Sequence, residues 1–196
     1  MSNPGKEKPC ALVLGHSFVS RFKVFLKREE FSKSLNLDDT CRVFFSGIGG
    51  RTVEKIMRFD LEKLYVLQPQ IVILEIGSND LCDVAVDPEA IGSHIMTLIN
   101  RLRYEFGVER VVVCQILYRQ NQPYPQYNSS VTALNSWLKV KLSNVQYATL
   151  WRHRGLVRPS LDIYGRDGIH LNRRGEALLF RSYRGAILFA LKHLQP

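Results

Sequence analysis

The sequence contains no apolar run near the roughly 18 residues that a bilayer span requires, and its first ten residues, MSNPGKEKPC, are too polar for a secretory signal. No membrane-spanning helix is expected, and an intracellular, cytoplasmic setting is the expectation. Cysteine is scarce: Cys10, Cys41, Cys82 and Cys114 are widely spaced and form no C-x-x-C pair. That spacing argues against a zinc knuckle and against a disulfide framework, leaving free and mostly buried thiols. Internal repeats, low-complexity tracts and linkers are missing too. With 196 residues, 45% of them hydrophobic, the chain suits one domain over residues 10–196 behind a polar tail over residues 1–9.

Acidic residues run short in the second half. Residues 1–98 carry 12 Lys and Arg against 13 Asp and Glu, whereas residues 99–196 carry 15 against 5, so the second half holds +10 and the first −1 of the net +9. Arg152, Arg154, Arg158, Arg166, Arg173, Arg174, Arg181 and Arg184 crowd a short stretch. A solvated basic face is the plain reading. The alternative is a surface that holds nucleic acid or another polyanion, although no array of aromatic and basic residues typical of an RNA-binding module accompanies it.

What is present is alternation. Five short runs rich in Val, Ile and Leu, CALVLG (10–15), RVFFS (42–46), QIVILEIG (70–77), RVVVCQI (110–116) and NVQYATL (144–150), suit strands buried on both faces. Between them FVSRFKVFLKREEFSKSL, TVEKIMRFDLEKLYVL, PEAIGSHIMTLINRLRYEF and SSVTALNSWLKVKL repeat apolar residues near the helical period, as does NRRGEALLFRSYRGAILFALKHL at the end. Such alternation implies a parallel sheet with right-handed crossovers and helices on both faces. The Pro- and Gln-rich segment YRQNQPYPQYN (118–128) reads as a surface loop.

In open sheets of this kind the ligand crevice lies beyond the carboxyl ends of the strands. Ser17 follows the first strand, SGIGGRT the second and GSND the third, so all three gather at one edge. The adjacent His16 is a poor base for Ser17, because neighbouring side chains diverge. GRDGIHLNRRG (165–175) offers a better one. Asp167 and His170 are spaced so that one turn of chain lets the carboxylate hold one ring nitrogen while the other faces Ser17. Oxyanion donors are available in the N–H of Ser17, the N–H of Gly50 in its glycine-rich loop and the side-chain amide of Asn79. His94, His193 and His153 read as surface or packing residues, with His153 a candidate for the rim of the site because its loop precedes the Asp167–His170 turn.

The four blocks, GHS (15–17), GIGGRT (47–52), GSND (77–80) and DGIH (167–170), resemble the SGNH (GDSL-type) hydrolase superfamily in order and spacing, over about residues 10–193. The resemblance implies a flavodoxin-like three-layer α/β/α sandwich with a parallel five-stranded sheet in the order 2-1-3-4-5. It implies a serine esterase with Ser17 as nucleophile and the Asp167–His170 pair as orienter and general base. Ser17, Gly50 and Asn79 would be its oxyanion donors, and no metal or organic cofactor is implied. The GIGG block is similar to platelet-activating-factor acetylhydrolases, which points to a small ester with a short acyl chain as substrate. Transfer to another acceptor instead of water would be decided by YRQNQPYPQYN and the loop at 151–166. One departure stands out. Where the family has Gly-Asp-Ser-Leu, this chain has Gly15-His16-Ser17-Phe18, with an imidazole in place of the aspartate that buttresses the turn.

Overall fold

The structure, a computed structural model, describes residues 7–159 and 162–194; most of the N-terminal tail lies outside them. Strands β1 (Cys10–Gly15), β2 (Arg42–Gly47), β3 (Ile71–Glu75), β4 (Arg110–Cys114) and β5 (Ala148–Trp151) form one parallel sheet in the order β2-β1-β3-β4-β5. Helices α1 (Ser17–Arg28), α2 (Val53–Phe59), α3 (Glu62–Leu67), α4 (Pro88–Tyr104), α5 (Tyr127–Leu142) and α6 (Arg173–Leu191) complete the layers. This is the α/β/α sandwich that the alternating pattern implies.

Side-chain alternation along the strands divides the core. Ala11, Val13, Ile71, Ile73 and Val112 face α1 and α6, whereas Leu12, Leu14, Val72, Leu74, Val111 and Val113 face α2, α4 and α5. Helix α1 buries the stripe Phe18, Val19, Phe22, Phe25 and Leu26. Spacing of this kind puts one apolar face on the sheet, and a fully buried aromatic such as Phe22 contributes about 2–3 kcal/mol.

Several elements are shorter than their periodicity suggests. TVEKIMRFDLEKLYVL is two helices, because Asp60 ends α2 and turns its buried carboxylate onto Arg51 Nε (2.7 Å) and toward Lys63 (3.7 Å). FVSRFKVFLKREEFSKSL leaves the helix after Arg28, and the chain then takes left-handed conformations at Glu30, Leu35 and Asn36. The fifth strand begins at Ala148, four residues later than the apolar run. In YRQNQPYPQYN the expected surface loop is only partly one: Arg119 and Tyr127 are buried, and Tyr127 already opens α5. The cysteines are free, and all but Cys82 are buried.

Candidate active site

The site forms where the carboxyl ends of β1, β2 and β3 meet. At the end of β1, Gly15 packs so closely on β3 that an added Cβ would stand 2.2 Å from the Glu75 carbonyl oxygen. His16 N–H donates to that same carbonyl (3.2 Å). The chain then turns into α1, with His16 as its N-cap: Nδ1 accepts from Phe18 N–H (3.4 Å). Burial above all, with Arg119 and His170 adding to it and Glu75 opposing, lowers the His16 pKa to about 4. The imidazole is therefore neutral and occupied with the backbone. Ser17, the first residue of α1, is half-buried.

His170 Nε2 lies 2.9 Å from Ser17 Oγ, and His170 Nδ1 lies 2.7 Å from Asp167 Oδ2. The carboxylate can only accept, so Nδ1 carries the proton and Nε2 presents its lone pair to the serine hydroxyl. Asp167 Oδ1 accepts from the N–H groups of Ile169 (3.0 Å) and His170 (2.9 Å), so the carboxylate also shapes its own turn. Burial pushes the Asp167 pKa up, but the hydrogen bonds from His170 and from these two backbone groups outweigh it and bring it down to about 2. The turn is clasped by the Tyr164–Leu171 bridge, by Gly165 N–H to His170 O (2.7 Å) and by Asn172, which caps α6 through Gly175 N–H (3.0 Å).

The glycine-rich loop and GSND are tied together beside this group. Ile48 N–H donates to Gly15 O (3.2 Å), Asn79 Nδ2 donates to Arg51 O (2.9 Å), and Asp80 Oδ1 accepts from Val53 N–H (2.9 Å) at the start of α2. Of the three glycines in SGIGG only Gly50 uses a left-handed conformation (φ +72°), and it is exposed. One amide hydrogen of Asn79 orients its side chain on Arg51 O, which leaves the second for another acceptor.

His153 needs correcting. It is not at the rim but fully enclosed, 0% exposed, in a polar network behind the turn that carries Ser17, which sequence reasoning missed. Trp151 Nε1 donates to Ser182 Oγ (2.9 Å), Ser182 Oγ meets His153 Nδ1 (2.7 Å), and His153 Nε2 meets Glu75 Oε2 (3.2 Å), which also accepts from Tyr183 (3.0 Å). Burial opposes the Glu75 charge, but His153, His16 and the Tyr183 hydroxyl together keep its pKa low. Glu75, Cys114 and His153 also bring one ligand-type atom each within 4.8 Å of one another. All three are engaged in this network, where burial and the Glu75 carboxylate keep Cys114 a thiol. The available signal was Glu75 itself, a carboxylate inside the apolar run QIVILEIG.

A serine hydroxyl hydrogen-bonded to an imidazole that a carboxylate orients is a geometry that serine acyl hydrolases use on several unrelated folds. The chain belongs to the GDSL-like lipase/acylhydrolase family, whose profile matches residues 24–178. The match takes in Gly50, Asn79, Asp167 and His170 and begins after Ser17, past the divergent Gly-His-Ser-Phe block. A comparison with curated protein sequences finds no match. Among solved structures, the chain is similar to a Bacteroides fragilis protein assigned as an acylhydrolase (18% identity, TM-score 0.74, covering 94% of this chain and 91% of that one). It is also similar to a GDSL-like lipase from Bacteroides thetaiotaomicron (15%, 0.71, 97% and 93%) and to a psychrotrophic esterase from Pseudoalteromonas, solved with a monoethylphosphonate inhibitor (15%, 0.70, 94% and 100%). At such identities the likeness is one of fold. Among the described residues, no helix is long and apolar enough to cross a membrane.

Proposed function

We propose that the protein is a serine esterase acting on small esters with short acyl chains. Ser17 Oγ attacks the carbonyl carbon while its proton passes to His170 Nε2, with Asp167 holding the imidazole and stabilising its cationic form. The oxyanion is met by the N–H groups of Ser17 and Gly50 and by the Asn79 amide. Collapse breaks the ester C–O bond, the alcohol leaves with the proton from His170, and water then repeats the sequence on the acyl-enzyme. The observation that carries this reading is the continuous Ser17–His170–Asp167 hydrogen-bonded chain at 2.9 and 2.7 Å. Family membership supports the hydrolase class, and the GIGG block is the basis for favouring short acyl groups.

The test is fluorophosphonate labelling with identification of the modified peptide, paired with hydrolysis of a short-chain aryl ester. Label on Ser17 is expected, together with loss of both labelling and hydrolysis in Ser17→Ala and of hydrolysis in His170→Ala. Near-native hydrolysis in both variants overturns the assignment.

A second, compatible reading rests on Arg152, Arg154 and Arg158, all exposed on the segment after β5. They would attract a polyanion such as single-stranded RNA, with affinity falling steeply as salt rises. Absence of binding at low salt removes this reading.

A further inference from the structure

Arg119 lies in the connection between β4 and α5, within the segment read from sequence as a surface loop, yet it is only 7% exposed. One terminal nitrogen donates to Ser78 O (3.1 Å) and Ser78 Oγ (2.8 Å), and the other contacts Cys82 Sγ (3.1 Å). Its guanidinium carbon stands 4.8 Å from the centre of the Tyr127 ring. Arg119 Nε is buried without a hydrogen-bond partner, and among the described residues no carboxylate forms an ion pair with it. Tyr127 is no hidden counter-ion, because burial pushes its hydroxyl up to about 12. A buried cation lacking its anion is costly. Its presence makes physical sense if the matching negative charge arises only during the reaction.

The position of the guanidinium fits that. Ser78 O accepts from both Arg119 and the Tyr127 hydroxyl (3.1 Å), and it belongs to the peptide that leads into Asn79. The next residues reach the other side of the site: Gln120 N–H and Asn121 N–H both donate to Gly168 O (2.8 and 3.1 Å), inside the turn that carries Asp167 and His170. Asn128 fastens the Arg119 backbone from both sides, accepting from its N–H and donating to its carbonyl (2.9 Å each). Arg119 is also among the charges felt by His16, the neighbour of Ser17. A single rigid segment thus braces the Asn79 loop and the His170 turn.

We propose that Arg119 is a positioning residue of this site: it holds the Ser78–Asn79 peptide and supplies a fixed positive charge that stabilises the anionic tetrahedral intermediate more than the neutral ester. The proposal rests on the reading of Ser17 as nucleophile. A preorganised charge in a partly desolvated site acts on developing charge without having to reorganise. Because the ground-state ester is uncharged, the effect falls on kcat and leaves KM alone.

The experiment compares wild type, Arg119→Gln and Arg119→Lys in three measurements: hydrolysis of a short-chain aryl ester, inhibition by a small alkylboronic acid, whose adduct on Ser17 is tetrahedral and anionic, and melting temperature. Arg119→Gln is expected to lower kcat about 10–30-fold with KM within about twofold, and to weaken the boronic acid by a similar factor. Arg119→Lys, which keeps the charge, is expected to recover at least about threefold of the kcat lost in the Gln variant. A purely structural role would lower the melting temperature of both variants without linking kcat to boronic acid affinity. The proposal is overturned by a folded Arg119→Gln protein with wild-type kcat, by equal losses in Gln and Lys variants, or by unchanged boronic acid affinity alongside a fallen kcat. If the Gln variant does not fold, Arg119→Lys decides: a kcat loss of about tenfold or less supports the charge role, and any greater loss refutes it. A wild-type protein that fluorophosphonate does not label at Ser17 sinks the esterase reading itself, whereas labelled wild type with an indifferent Arg119→Gln sinks only this inference.

Discussion

His170 Nε2 stands 2.9 Å from Ser17 Oγ although 153 residues of sequence separate them, and the bond is made possible by the Asp167 carboxylate, which holds both the ring and the turn that carries it. Asn at position 167 would keep the size but can present its amide nitrogen to Nδ1, favouring the wrong tautomer. Asp167→Asn is therefore expected to lower kcat by about 10²–10⁴-fold and, because it also removes the stability that the ionised carboxylate contributes, to melt below wild type at neutral pH. Ester kinetics and thermal melts on one preparation check this. Because the Asp167 pKa lies at about 2, below its ordinary 3.8, the stability its carboxylate contributes is present above 3.8 and is lost as pH falls toward 2. Asp167→Asn removes that acid dependence.

His16 occupies a buried position beside the buried Glu75, and an aspartate there would bring two carboxylates together out of water. His16→Asp is expected to cost about 1–3 kcal/mol at pH 8, whereas His16→Asn, a neutral cap that still accepts from Phe18 N–H, stays close to wild type. Adding Glu75→Gln to His16→Asp would recover part of the loss, with a coupling of about 1 kcal/mol or more in a double-mutant cycle. Urea unfolding at pH 5 and pH 8 measures all of these. Wild-type stability of His16→Asp at pH 8 would count against the argument. The low pKa of His16 also means that its neutral form supports the fold above 6.5 and that this support fades as pH falls toward 4.

Glu176, in the first turn of α6, is 5% exposed and its Oε2 has no partner. Burial pushes its pKa up to about 8, against the pull of Arg21 and Arg28. Native protein thus binds a proton that the unfolded chain releases near 4.5, so stability is fullest below 4.5 and declines as pH rises toward 8. Glu176→Gln is expected to match wild type near pH 4 and to melt about 5–10 °C higher at pH 9. A melting difference that does not grow with pH would contradict the assignment.

An added Cβ at Gly50 meets nothing within 4 Å, so only its backbone conformation (φ +72°) penalises a substitution. Gly50→Ala is expected to cost about 1 kcal/mol of stability. In the proposed mechanism it also lowers kcat by about tenfold or more, by turning an oxyanion donor away. Stability and kcat measured together separate the two effects. A large loss of stability with unchanged kcat would remove Gly50 from the donor set.

The parallel sheet, its helical layers and the edge at which Ser17, Gly50 and Asn79 gather were legible in the chain, because strand and helix periods and the residues that follow each strand are local properties. Asp167 and His170 were legible as a unit for the same reason, being three residues apart in one turn. Tertiary structure alone decided what depends on packing across the sheet. It enclosed His153 with Glu75, Ser182 and Trp151, split the helix at Asp60 around Arg51, and drew Arg119 inward from a segment whose composition suits a loop. Local composition registers the cost of burying a charged or polar side chain, but not the partners that offset it, because those partners come from distant parts of the chain and are brought together only by folding.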